Sequence, residues 1–335
     1  MKVWTALDQV PGAQESVVTI GNFDGMHQGH SRVIGSCVER AKRLGCESVA
    51  LTFDPHPRSV HHPGHPVPMI MTTADRLDAI AVTGVDATLL AHYDRSLYSL
   101  SPEDFVQEYL VDRLGAREVV VGEDFRFGRG NSGDVDTLRQ LGRVFGFDVT
   151  MVTDVVSQSG RRWSSSWVRE LLQNGAVEEA ADVLGRFHRV TGIVEHGAKR
   201  GRLLGFPTAN VAAAGQMIPA DGVYAGWLVR EAGIPGEPGW GGGQEFLPAA
   251  ISVGTNPQFG GVKRTVEAHV LGRSDLDLYD EEVTVVFVRH LRPMASLDSV
   301  DQLLDQMDED LRRTAVTLGV RISRRVDPEA VTAGV

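Results

Sequence analysis

Short apolar runs alternate with amphipathic stretches through the first half of the chain. Residues 16–20 (SVVTI), 48–53 (SVALTF), 87–91, 118–121 and 147–152 have the length and β-branched content of buried strands. Between them, residues 31–44, 74–82, 102–114 and 135–145 repeat apolar positions at helical spacing. Gly45 is placed to stop the first of these helices, and Ser101 with Pro102 to open the third. Two short helices follow over 168–173 and 177–184. Strands spaced by helices predict an α/β domain with a parallel sheet covered on both faces.

The rhythm changes near Gly185. Residues 187–194, 223–229, 249–253, 265–271 and 283–288 are β-rich runs separated by Gly/Pro turns, with no helix between them. That pattern predicts an antiparallel barrel or sandwich. Val300, Leu303, Leu304, Met307 and Leu311 then recur at helical spacing and predict one closing helix. Residues 233–243 (GIPGEPGWGGG) read as a surface loop, and the tail after Arg325 as frayed chain. The expected division is 1–186 and 187–335.

The chain has 335 residues, which suits two domains, each able to bury a core. Its 33 basic against 44 acidic residues leave a net charge of −11. This disfavours a duplex nucleic-acid partner but leaves room for a local basic patch that holds a small phosphorylated ligand. Cys37 and Cys46 are the only cysteines, too few for a disulfide framework or a zinc quartet. The opening MKVWTALDQVPGAQE lacks a secretory apolar core, and no stretch approaches the roughly 18 apolar residues of a membrane span. The expected setting is cytoplasmic, without membrane contact. A homo-oligomer is compatible with these features and not required by them.

Four segments carry candidate chemistry. Residues 21–30 (GNFDGMHQGH) join a strand to a helix, with Gly21, Phe23 and Gly25 in the turn and His27 and His30 three apart at the helix start. A helix N-terminus favours phosphate, and two imidazoles there suit a phosphoryl centre that gains charge in the transition state. A glycine turn with two exposed histidines is the plainer alternative. Residues 163–170 (WSSSWVRE) set Ser164 and Ser165 ahead of Arg169, either as ordinary capping or as a second phosphate grip. Residues 205–210 (GFPTAN) offer Thr208 and Asn210 as hard oxygen ligands for Mg²⁺ beside nucleotide phosphates, with Lys199 and Arg202 in the preceding loop. Residues 265–272 (TVEAHVLG) alternate, with Glu267 on the polar face as either a surface carboxylate or a base at a barrel mouth. Two further segments mislead. GRGNSG (128–133) fits a dinucleotide fingerprint but does not follow its strand directly, and HHPGH (61–65) reads as plain surface.

Together these segments resemble the bacterial bifunctional riboflavin kinase/FMN adenylyltransferase family, also called FAD synthetase. GNFDGMHQGH, TFDPHP (52–57), VGEDFRFG (121–128) and SSSWVRE carry the resemblance in the first half. LGRFHRVTGIV (184–194), RGRLLGFPTAN, GVYAGW (222–227), ISVGTNPQFG (251–260), TVEAHVLG and LRPMASLDSVDQLL carry it in the second. The resemblance implies a Rossmann-like nucleotidylyltransferase domain followed by a β-barrel kinase domain. It implies a transferase that phosphorylates riboflavin with ATP and Mg²⁺ to FMN, then adenylylates FMN to FAD. It places His27 and His30 in the adenylyl-transfer site, Ser164, Ser165 and Arg169 in its second phosphate motif, and Asp124 where members carry Asn or Asp. In the kinase it places Thr208 and Asn210 on Mg-ATP and makes Glu267 the catalytic base. Three rival readings remain: a nucleotide-dependent oxidoreductase, for which only GRGNSG speaks, a flavin carrier without catalysis, and an enzyme with only one active half.

Overall fold

The computed structural model describes residues 1–322, apart from 13, 154–155, 158–159, 197–205, 232–242, 256–263, 274 and 296–298. The chain divides into two compact units, Met1–Ser165 and Ser166–Val335.

In the first unit every residue of Ser16–Ile20 is buried, as an unbroken apolar strand between two layers demands. The strands are β1 (Lys2–Trp4), β2 (Ser16–Ile20), β3 (Glu47–Asp54), β4 (Ala87–His92), β5 (Ala116–Gly122) and β6 (Asp148–Val152). They form one parallel sheet in the order β1-β4-β3-β2-β5-β6. Helices α1 (Gln28–Leu44), α2 (Pro57–His61), α3 (Thr73–Val82), α4 (Arg95–Tyr98), α5 (Pro102–Phe105) and α6 (Val135–Phe145) connect them. Val18, Leu51, Leu89 and Val119 pack with Phe105, Leu110 and Leu138 in one core layer. Ala50 packs with Ile34, Val38 and Ile80 in another, so apolar layers cover both faces. The helix expected over 102–114 is α-helical only to Phe105, and Val106–Arg113 continues as π-helix. GRGNSG forms a short 3₁₀ turn and a bridge from Phe127 to Gly133, not a dinucleotide turn.

The second unit carries α7 (Ser165–Gln173) from Ser166 onward, α8 (Val177–Leu184), and strands β7 (His188–Glu195), β8 (Ala209–Ala212), β9 (Gly222–Glu231), β10 (Gln244–Thr255), β11 (Arg264–Val270) and β12 (Glu282–Arg292). The strands close into an antiparallel barrel, β10-β11-β8-β7-β12-β9, which decides between barrel and sandwich. Val190, Leu228, Ile251, Val266, Val285 and Phe287 are fully buried and fill its interior. Helix α9 (Val300–Leu318), capped by Ser299, lays Leu304, Met307, Leu311 and Ala315 against Phe206 and Leu271. Most of the 233–243 loop and the tail after Arg325 lie outside the described residues.

Candidate functional site

The order of the parallel sheet reverses at β2, with β3 on one side and β5 on the other. Ligands in such sheets bind at the carboxyl ends of the strands beside this reversal. The loop 21–27 leaves β2 there, and the loop holding Asp124 leaves β5.

His27 is the N-cap of α1, and its Nδ1 accepts the backbone N–H of His30 at 3.3 Å. The proton of the neutral ring therefore sits on Nε2. The two imidazoles stack with centroids 3.7 Å apart, and Phe23 meets His30 edge-on at 5.4 Å. Gly29 makes room for this, since a Cβ there would lie 3.0 Å from the His27 ring. Gly25 holds φ at +81°, a conformation that side chains disfavour. His27 is buried, and burial, followed by the charge of Arg162, lowers its pKa to about 4, against the opposing pull of Asp124. It is a neutral hydrogen-bonding ring at physiological pH.

The Asp24 carboxylate faces the scaffold and accepts the Ile70 N–H at 3.0 and 3.2 Å. Ser165 Oγ donates to the Asp24 carbonyl at 2.8 Å, so the serine run is tied to the histidine loop. Ser164, next in sequence, is half-buried. Asp124 pairs with Arg162 Nη2 at 2.7 Å. The structure thus gathers Gly21, Phe23, Gly25, His27, His30 and Ser165, with the Asp124–Arg162 pair beside them. Arg169 stands further along α7, beyond Ser166 where the second unit begins.

Sequence reasoning missed a second wall. Phe53 at the end of β3, His61 on α2, Tyr93 after β4 and Tyr98 on α4 form one aromatic group. His61 Nε2 lies 3.0 Å from the Tyr93 hydroxyl, and HHPGH is exposed throughout, as expected of a surface segment. Four separate elements contribute, and no local spacing signals them. A cleft of about 430 Å³ beside Arg40, Glu118 and Thr150 lies at the opposite edge of the sheet, where β5 and β6 begin.

In the second unit, register places Asn210 of β8 directly opposite Glu267 of β11, and Glu267 opposite Ser252 of β10. Val266 and Ala268 point into the barrel, so Glu267 lies on its outer wall, not inside its mouth. Burial raises the Glu267 carboxyl above the usual range. Its carboxylate makes no hydrogen bond or ion pair with the described residues, and burial is the cause of the shift. Thr208 is half-buried just ahead of β8. The preceding Pro207 carbonyl accepts the Nδ1–H of His269 at 2.7 Å, from the same face as Glu267. His269, also missed in the sequence, is buried against Phe206. Lys199 and Arg202 lie outside the described residues. Among the described residues no group of three His, Cys, Asp or Glu side chains could hold a metal. Thr208 and Asn210 instead offer neutral hard oxygens, which fit Mg²⁺ that keeps water and phosphate ligands.

Residues 10–167 match the FAD synthetase family model and residues 184–318 the riboflavin kinase model. The chain is 33% identical over 304 residues to the bifunctional riboflavin kinase/FMN adenylyltransferase of Escherichia coli (strain K12), covering 91% of this chain and 93% of that protein. Identity to the protein of the same name from Pseudomonas fluorescens is 36% over 302 residues, covering 90% and 92%. A crystal structure described as a macrolide-efflux protein from Streptococcus pneumoniae superposes with a TM-score of 0.81 at 29% identity, covering 93% of this chain and 97% of that one. No described helix of the present chain is long and apolar enough to cross a membrane.

Proposed function

The chain belongs to the bifunctional riboflavin kinase/FMN adenylyltransferase family, and from that premise we propose how its residues divide the work. Residues 187–335 transfer the γ-phosphoryl group of ATP to riboflavin, giving FMN. Residues 1–186 transfer AMP from a second ATP to FMN, giving FAD and pyrophosphate. A cytoplasmic setting accords with the ATP that both steps consume.

The observation that carries this reading is the contrast between the two centres. The riboflavin 5′-hydroxyl is a weak acid and needs a base as it attacks the γ-phosphorus. Glu267, half-buried and without a cationic partner among the described residues, is suited to take that proton. Thr208 and Asn210 would hold Mg²⁺, which neutralises charge on the phosphates of ATP when bound. The FMN phosphate, by contrast, is already ionised and nucleophilic. The first centre accordingly holds neutral imidazole and a helix N-terminus, which align groups and stabilise charge at the α-phosphorus. The aromatic wall of Phe53, Tyr93 and Tyr98 offers flat apolar surface to the isoalloxazine ring.

Chromatography of products after incubation with riboflavin, ATP and Mg²⁺ tests both steps. FMN followed by FAD is expected, and FAD alone from supplied FMN. A folded preparation that binds flavin and forms neither product is a carrier, and the proposal falls.

A further inference from the structure

Among the described residues Arg76 is the only arginine in the buried core, with no exposed surface. It stands near the start of α3, on a helix whose sequence gives it no local partner. Its Nη1 donates to the Asn22 carbonyl at 3.1 Å, and its Nη2 lies 3.6 Å from Asp54 Oδ1. Nε and Nη2 have no hydrogen-bond partner among the described residues. Besides Asp54, the charge of the buried Asp24 acts on Arg76. A guanidinium has five N–H donors, and burying one that is only partly satisfied is costly. Replacing a whole buried ion pair by apolar side chains is often neutral or stabilising, so stability alone does not call for a guanidinium here.

Its two acceptors belong to different walls of the first centre. Asn22 sits in the turn between Gly21 and Phe23, one residue from the ring that backs His30. The same carbonyl accepts Thr52 Oγ1 at 3.1 Å, which joins the turn to β3. Asp54 ends β3, next to Phe53 of the aromatic wall, and is also held by Thr73 Oγ1 at 3.2 Å. Its side chain is 47% exposed, so one end of the ion pair reaches the surface at the strand's carboxyl end.

We infer that Arg76 is a positioning residue for adenylyl transfer: by engaging the Asn22 carbonyl and the Asp54 carboxylate together, it fixes the spacing between the histidine loop and the aromatic wall. This rests on the reading of that centre proposed above. A planar fork can meet two acceptors in different directions, whereas a lysine ammonium is a point charge on a flexible stem. A shift of about 1 Å between reacting groups can cost about 10²-fold in rate.

The test uses the full chain with Arg76→Lys and Arg76→Met. FAD formation from FMN is measured as kcat and KM for each substrate, at a temperature well below melting. FMN formation from riboflavin is measured on the same preparations, and amide exchange is followed over residues 21–27. In both variants kcat for adenylyl transfer should fall about 10–100-fold, with KM changing by only a few-fold. The kinase rate should stay within about twofold, because that centre lies in the other unit, while exchange in the loop quickens. A lower melting temperature with wild-type kcat would make Arg76 merely structural and overturn the inference, as would full rescue by lysine. Unchanged loop exchange in folded Arg76→Met would overturn it as well, even if the wild-type chain proved unable to adenylylate FMN. That last failure would sink the reading of the centre itself.

Discussion

Between pH 7 and pH 5, acid should weaken the first unit through a buried histidine. His27 is 6% exposed, and its pKa is lowered from 6.5 to about 4, first by burial and then by the Arg162 charge. The sign follows from proton counting. Between these values the unfolded chain binds a proton that the folded chain refuses, so stability falls as pH falls. The contribution is intact well above pH 6.5. It has dropped by about 2 kcal/mol at pH 5 and about 3 kcal/mol at pH 4 for a shift of about 2.5 units. Native-state amide exchange on the full chain, corrected for intrinsic rates, reads the opening free energy of β2, β3 and β5 separately from the barrel. The drop between pH 7 and pH 5 should be about 2 kcal/mol smaller in His27→Gln than in wild type, since glutamine does not titrate. Comparing the pH difference within each protein removes the cost of the lost cap. An equal drop in both proteins would show that folded His27 takes up its proton as readily as the unfolded chain does and would falsify the lowered proton affinity.

Glu267→Gln should cut FMN formation by about 10²–10⁴ while riboflavin still binds and FAD formation from FMN persists; near-wild-type kinase turnover would return Glu267 to an ordinary surface carboxylate. His30→Ala should lower FMN adenylylation by about 10²–10³ with the kinase intact; parallel loss of both activities in folded protein would contradict separate centres. Gly226→Ala drives a methyl group into the Val286 carbonyl oxygen and 2.5 Å from Ile251 Cδ1, where β9 crosses close to β12. It should destabilise the barrel by about 3–5 kcal/mol in denaturant titration, and a loss below about 1 kcal/mol would refute so close an approach.

Local signals in this chain read well where one element supplies them. Gly45, Gly146 and Gly185 each end a helix in the left-handed conformation, and Ser101 and Asp134 each cap one, because these effects depend on neighbours a few residues away. The apolar run of β2 and the alternation in β11 separated a two-faced parallel sheet from an antiparallel barrel or sandwich for the same reason. Candidate site residues could be named from the sequence as far as a motif is contiguous, which covers His27, His30, Thr208, Asn210 and Glu267.

What the motifs could not specify depends on partners distant in sequence. Strand β1 is three residues long and exists by pairing with β4, and β8 is four residues between two longer strands. Neither is long enough to show a period. The π-helix at Val106–Arg113 carries an ordinary helical pattern, and its hydrogen-bond shift has no sequence mark. Closure of the barrel required β9 to pair with both β10 and β12. Alternation puts Glu267 and His269 on one face of β11, yet Glu267 is half-buried while His269 is buried against Phe206. The Asp124–Arg162 pair, the aromatic wall and the buried Arg76 each join elements that only the folded sheet brings together. A sequence determines local conformation through short-range sterics and hydrogen bonds. Which polar groups lose their water, and so acquire unusual proton affinities and fixed positions, is decided by long-range packing.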